Sequence, residues 1–409
     1  MSRSVARFSS NLGRLLALLL VLCASRTVRA ADENDGPFSL PVDVHAFVSQ
    51  GYMITTESNY IAHSRRGTFE FTEVGINFTK NITDDLRVGM QLFSRDLGTI
   101  GNYKPQFDWF YLDYHFRDWL GLRAGRTKLP FGLYNEHSDI DQARVPILLP
   151  QSLYPIQNRD FLLAQTGFEL YGYVPLGPVG AFDYRLYGGT IFVDSTSLAS
   201  PGATVTNIDV PYVAGGRAMW LTPLDGLRAG ASVQALRLDL DYSLSPAIVS
   251  YLQAKGQVPA DFGGTFRYKL PVFLWVASLE YAAHDVLLAA EYSRWRSDYE
   301  TRPQIVPDGD LTSTRWYVMG SYRASPWFSP GLYYSVWNDG RPGLLTRDKY
   351  QQDVAFTLRY DITRNWLVKL EEHYMRGTAG LSPALNSNTE AGKLTRDWAM
   401  FMLKTTAYF

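Results

Sequence analysis

The sequence predicts a membrane-spanning, closed antiparallel β-barrel of about sixteen strands, an all-β fold, on three observations. Apolar and polar residues alternate through most of the chain. The connections between alternating stretches are short and long in turn. Past residue 30, no apolar run approaches the length of about 20 residues that a spanning helix needs.

Alternation is plainest in three windows. In 107–116 (FDWFYLDYHF), Phe110, Leu112, Tyr114 and Phe116 share one face, and Trp109, Tyr111, Asp113 and His115 the other. In 351–360, Val354, Phe356, Leu358 and Tyr360 oppose Asp353, Ala355, Thr357 and Arg359; in 312–323, Trp316, Val318, Gly320 and Tyr322 oppose Arg315, Tyr317, Met319, Ser321 and Arg323. Side chains on a strand repeat every two residues, so each window sorts into a lipid face and a lumen face. A helix over the same windows would scatter charge around its whole circumference. Extended to the whole chain, this predicts strands near 43–54, 68–79, 85–95, 107–117, 121–128, 165–174, 180–192, 212–221, 227–239, 270–282, 285–296, 313–323, 328–337, 351–361, 366–376 and 395–409.

The connections at 81–84, 118–120, 175–179, 222–226, 284, 324–327 and 361–365 are short. Those at 57–67, 97–106, 129–164, 194–211, 240–269, 301–312, 338–350 and 377–394 are long and polar. Outer-membrane barrels place short turns on the periplasmic side and long loops outside. An even strand number returns both ends of the barrel to the side of the short turns. Closure is demanded by the solvent, because an unpaired backbone group in hydrocarbon costs several kcal/mol. Trp119, Trp220, Trp327 and Trp366 lie in or beside short connections, at the headgroup level that aromatic rings favour. Within 240–269, the run from Pro246 to Gly256 suggests a short helix, with Ile248, Tyr251 and Leu252 on one face.

Residues 1–30 have the form of an export signal: Arg3, Arg7 and Arg14, then the apolar run Leu15–Leu22, then Val28 and Ala30 at cleavage spacing. Cys23, the only cysteine, falls inside that segment, so the remainder has no disulfide or thiolate metal site. Residues 31–42 form a short periplasmic segment, and 43–409 the barrel. Basic residues number 39 against 40 acidic, and residues 1–30 hold five arginines and no acid, which leaves the rest mildly acidic and argues against nucleic acid as a partner. The expected place is the Gram-negative outer membrane, in contact with its lipid.

A barrel of about 16 strands is wide enough for an aqueous channel, so the expected function is passive diffusion of small hydrophilic solutes or ions; the alternative is a substrate-specific channel, for an anion or small organic acid. Segment 129–164 is the candidate constriction. Ile147, Leu148, Leu149, Leu153, Tyr154, Phe161 and Leu162 suit packing on an inner wall, which leaves Glu136, His137, Asp139, Asp141, Arg144, Arg159 and Asp160 to line an eyelet. An external loop over the rim is the other placement. The lumen face offers Arg87, Arg123, Arg185, Arg217, Arg228, Arg315 and Arg359, with Arg323 and Lys369. Against them stand Asp113, Glu280, Glu291 and Asp353, with Asp43, Glu73, Asp183 and Glu371. The near balance leaves the sign of selectivity open, and many of these charges are expected to pair with one another. An outer-membrane barrel enzyme is the rival class. The six histidines are scattered over different strands and loops, and no nucleophile elbow, paired-histidine metal motif or phosphate loop accompanies them. Neither a catalytic residue nor a cofactor is therefore expected.

Two stretches resemble Gram-negative porins. The chain ends on an alternating strand, Trp398 to Phe409, with Phe401, Leu403, Thr405, Ala407 and Phe409 on the lipid side. In that family such a terminal aromatic is the signal read by the barrel-assembly machinery, which implies that role for Phe409. The stretch Leu122–Glu136 (LRAGRTKLPFGLYNE) resembles the passage from strand to inward loop in porins related to the phosphate-selective O/P type. The resemblance also implies a homotrimer. It does not carry phosphate specificity, because 129–164 is mixed in charge rather than lysine-rich.

Overall fold

The computed structural model describes residues 42–98, 100–156, 162–192, 202–305, 307–340, 348–382, 385–386 and 394–409. The export signal, residues 31–41, Arg159, Asp160 and Phe161 lie outside the described residues. Sixteen strands close into one barrel: β1 (Asp43–Thr55), β2 (Thr72–Asn81), β3 (Leu86–Asp96), β4 (Gln106–Arg117), β5 (Leu120–Lys128), β6 (Ala164–Pro175), β7 (Ala181–Thr190), β8 (Ala203–Leu221), β9 (Leu227–Leu244), β10 (Thr265–Ala283), β11 (Val286–Arg302), β12 (Gly309–Tyr322), β13 (Phe328–Asn338), β14 (Tyr350–Thr363), β15 (Trp366–Gly377) and β16 (Asp397–Tyr408). Each pairs antiparallel with its sequence neighbours. β1 pairs with β16 to seal the sheet, and Phe409 completes the seam through reciprocal backbone bonds with Ala46 of 3.0 and 3.1 Å. No described helix is long and apolar enough to cross a membrane.

The alternation read from the sequence is the alternation in space. On β16, Phe401 and Leu403 are exposed outward, as is Phe409 just past its end, while Trp398, Met400, Met402, Lys404 and Thr406 are buried inside. On β14, Val354 and Phe356 face out, and Asp353, Ala355 and Thr357 face in. A bulge interrupts the pattern on β4. Gln91 pairs with Trp109 and Leu92 with Phe107, so Asp108 is the extra residue. It turns inward to accept a hydrogen bond from Gln91 Nε2 at 2.8 Å, and Phe107 and Phe110 both stay on the outer surface. Trp119, Trp220, Trp327 and Trp366 are all exposed, as an interfacial belt requires. Trp220 Nε1 donates to the Val179 carbonyl and Trp366 Nε1 to Thr405 Oγ1, both at 2.8 Å, so the ring's polar edge is satisfied.

The strands from β8 to β12 run past the limits the sequence suggested. β8 begins at Ala203 rather than 212, β9 ends at Leu244 rather than 239, β10 begins at Thr265, β11 ends at Arg302 and β12 begins at Gly309. The reason is physical. Strands were ended where apolar alternation stopped, but a ladder needs only backbone groups, and its polar extension is tied across strands instead. Arg267 holds Asp241 through two bonds of 2.7 and 2.9 Å, and Lys269 meets Glu300 at 3.4 Å. The expected helix is present as α1 (Pro246–Ala254), but Tyr251 is exposed, and Val249 joins Ile248 and Leu252 as the partly covered apolar residues.

Candidate functional site: the segment between β5 and β6

The run that leads out of β5 is built to turn. Gly125 and Gly132 hold φ of 132° and 62°, in the region that disfavours a side chain. At Gly132 a Cβ would lie 2.5 Å from the Tyr154 hydroxyl and 2.8 Å from Glu291 Oε1. Its own N–H donates to Ser232 Oγ on β9, and the next N–H, of Leu133, donates to Glu291 on β11. Phe131, between the turn residues, is buried edge-on to Trp295. The Pro-Phe-Gly sequence thus aims the chain at a buried carboxylate on a strand far round the barrel.

Glu291 is one of three acidic anchors. It accepts from the hydroxyls of Tyr154, Tyr317 and Ser278 as well as from Leu133 N–H. Glu371 on β15 accepts the N–H groups of Ile147 and Leu148, and also bonds Thr357 and His373. Asp141 reverses the arrangement: the carboxylate belongs to the segment, and the cations to the wall. Lys369 Nζ lies 3.0 Å and Lys404 Nζ 3.4 Å from Asp141 Oδ1, Thr406 donates to Oδ2, and all four side chains are buried. Burial alone would raise the Asp141 pKa. Lys369, Lys404 and Arg144 outweigh it and hold the carboxyl well below the usual range.

On the opposite arc, Glu136 pairs with Arg185 on β7 and with Arg217 on β8. Burial again opposes ionisation, and Arg185 with Arg217 wins, so Glu136 is held below its ordinary pKa. Tyr134 donates to Glu280 on β10 at 2.7 Å. Arg315 on β12 donates to the Ser152 carbonyl, and Arg359 on β14 to the carbonyls of Gln142 and Arg144. Apolar packing fills the spaces between: Leu133, Leu149, Leu153 and Tyr154 against Leu236, Val276, Tyr317 and Tyr333, and Ile147 with Leu148 against Met53, Met400 and Met402. A segment bonded to inward side chains on opposite arcs of a closed sheet crosses its interior.

The remaining sequence candidates divide. Asp139 is buried against Gln91 and Lys128, whereas His137 is exposed. Arg144 meets Asp141 at 3.8 Å. Arg87 and Arg123 clamp Asp113 at 2.9 and 3.2 Å, Arg228 pairs with Glu280 at 2.8 Å, and Asp353 bonds His373 and Tyr333. These groups are wall pairs more than free charges. Lys404, Glu169 and His373 were not singled out from the sequence. Lys404 was legible, since it faces opposite the lipid set of the last strand.

Two further contacts close the end of the long connections on this side. Tyr60, Ile61 and Ala62, from the connection after β1, are buried against Trp398 and Leu381. Asn59 N–H donates to Asn386 Oδ1, and Asn386 Nδ2 returns a bond to the Asn59 carbonyl, both at 3.0 Å. Toward the short turns, two cavities of about 760 and 450 Å³ adjoin the segment. Arg323, Arg359 and Arg364 line the larger with Asp285 and Asp361; Arg185, Arg217 and Arg228 line the smaller with Glu136, Asp183 and Glu280; Arg144 lines both.

The fold is that of sixteen-stranded porin barrels. The anion-selective porin from Comamonas acidovorans superposes with a TM-score of 0.55 at 11% identity, covering 90% of this chain and 99% of that one. OmpT, an outer-membrane protein of Vibrio cholerae, gives 0.54 at 12% identity over 90% and 97%. The outer-membrane channel DcaP of Acinetobacter baumannii gives 0.51 at 14% identity over 90% and 97%. No protein-family model matches the chain, and no curated protein matches its sequence. The chain has the porin fold; the likeness reaches no further than that.

Proposed function

We propose that the chain is an outer-membrane diffusion channel for small hydrophilic solutes, narrowed by residues 129–163. One observation carries this reading: the segment is fastened to both arcs of the wall by buried carboxylates and cations, an arrangement that fixes an aperture rather than merely covering a rim. Charge fixed in a narrow passage selects ions by sign. Arg144 borders both inner cavities, and together the two are lined by seven arginines against five carboxylates. That excess favours anions, small carboxylates included, as the preferred cargo. A catalytic role is disfavoured, because both ring nitrogens of the buried His373 are engaged by Asp353 and Glu371, and the other histidines stand apart. Export by residues 1–30, recognition of Phe409 by the assembly machinery and a homotrimer complete the reading.

Planar-bilayer recording tests it. The refolded protein should give stepwise, ohmic currents, and their absence would refute the channel. In a salt gradient, Arg144→Glu should move the reversal potential toward cations. An unchanged potential would remove Arg144 and its cavities from selectivity.

A further inference from the structure

A third cavity, of about 230 Å³, lies between the segment, β13 and β14, and the connections that follow β1 and β15. Its wall is set by register: Trp337 pairs with Gln351 and Ser335 with Asp353, so the four side chains share the inner face. Gln151 and Ser152 of the segment and Tyr60 complete the lining. Two of its donors are unmet. The Trp337 indole N–H is buried with no hydrogen-bond partner among the described residues. Tyr60 is buried and bonds Ser64 and Ala62 through its backbone; its hydroxyl makes no hydrogen bond among the described residues. The other polar groups are occupied: Gln151 by Leu149 and Ile156, Gln351 by Gly380, and Ser152 by Ser335. The Arg315 guanidinium lies 4.7 Å from the centre of the Trp337 ring and steadies it.

The chemistry differs from that of the arginine-lined cavities. Asp353 is the one charged side chain among the described lining residues, and His373 with Tyr333 already engages it. An anion would enter against the only charge there. A neutral hydroxyl suits the two open donors, because it accepts from the indole N–H and both accepts from and donates to a phenol. The aromatic rings, Pro155 and Leu381 offer apolar surface to the C–H faces of a ring. The volume is that of about seven or eight waters, the scale of one six-membered sugar ring. A chamber of about 40 Å³ shares Gln151 and Pro155 with this cavity, and Arg144 and Leu149 with both larger ones. We propose that the third cavity binds an uncharged, hydroxylated ring solute of monosaccharide size on the long-connection side of that chamber. The site's role in passage depends on the channel reading; its occupancy does not.

Saturation-transfer NMR of the full-length protein, refolded in a sugar-free detergent, provides the test, with D-glucose as probe. The wild type should bind it saturably. Trp337→Phe keeps a ring and removes the N–H, and Tyr60→Phe removes only the hydroxyl. Each should weaken binding about three- to tenfold, the range for one lost neutral hydrogen bond, with gel heat-modifiability retained. Sodium acetate, a probe for the arginines, should not displace the sugar. Transfer that does not saturate, an unchanged affinity in either variant, or competitive displacement by acetate would overturn the assignment. A wild type that binds glucose yet carries no current would refute the channel reading and leave the site standing; one that conducts without binding glucose would do the reverse.

Discussion

Replacing residues 136–148 with a glycine-serine linker should raise single-channel conductance several-fold while the barrel stays heat-modifiable on gels. The expectation follows from where the segment's energy lies. The barrel is held by its own ladders, closed from β1 to β16, and none of those bonds involves the segment. The segment, by contrast, fills the interior with Ile147, Leu148 and the Glu136 and Asp141 pairings. Removing it leaves Arg185, Arg217, Lys369 and Lys404 facing water that newly fills the passage, so their desolvation cost disappears with their partners. The measurement is conductance in symmetric salt. A conductance equal to that of the wild type would mean that residues 136–148 do not set the aperture.

Asp141→Asn should be the most destabilising single substitution in the segment. Lys369 and Lys404 are fully buried; removal of Asp141's charge without removal of the segment leaves Lys369 without its acidic partner, while Lys404 keeps Glu73, at a cost of about 3–5 kcal/mol for the broken buried pair. Thermal or guanidinium unfolding of the refolded protein reads this out; a change below about 1 kcal/mol would show that Lys369 finds another partner. The pH dependence has a definite sign. Because the carboxyl is held below its ordinary value, its contribution is complete above the unfolded pKa of about 4 and declines as pH falls through the lower folded value. Glu136 acts in the same direction. The wild-type segment should therefore stay seated through mildly acidic pH and loosen only in strong acid, visible as a rise in conductance.

Much of this was legible beforehand because a barrel wall writes its two solvents into alternate residues. Phe401 and Leu403 against Met400 and Met402 needed no structure to be assigned. The strand limits from β8 to β12 were not legible, since beyond the lipid nothing obliges a paired backbone to alternate, and Arg267 with Asp241 looks in sequence like a loop. The site was half legible. Length and apolar content singled out 129–164, and the charges at 136, 141 and 144 were named with it. Which charge meets which was hidden, because pairings such as Asp141 with Lys404 join residues far apart in the chain through register accumulated around the whole sheet. The inward turn of Tyr60–Ala62 was hidden for the same reason: three residues carry no periodicity.

Asp141 is held by Thr406, 265 residues downstream, and by Lys404 on the same strand. Its berth is incomplete without the C-terminal strand. Without that strand, Asp141 keeps only Lys369 on β15 and Arg144 as its charged partners. The strand that seals the wall thus also completes the seat of the segment.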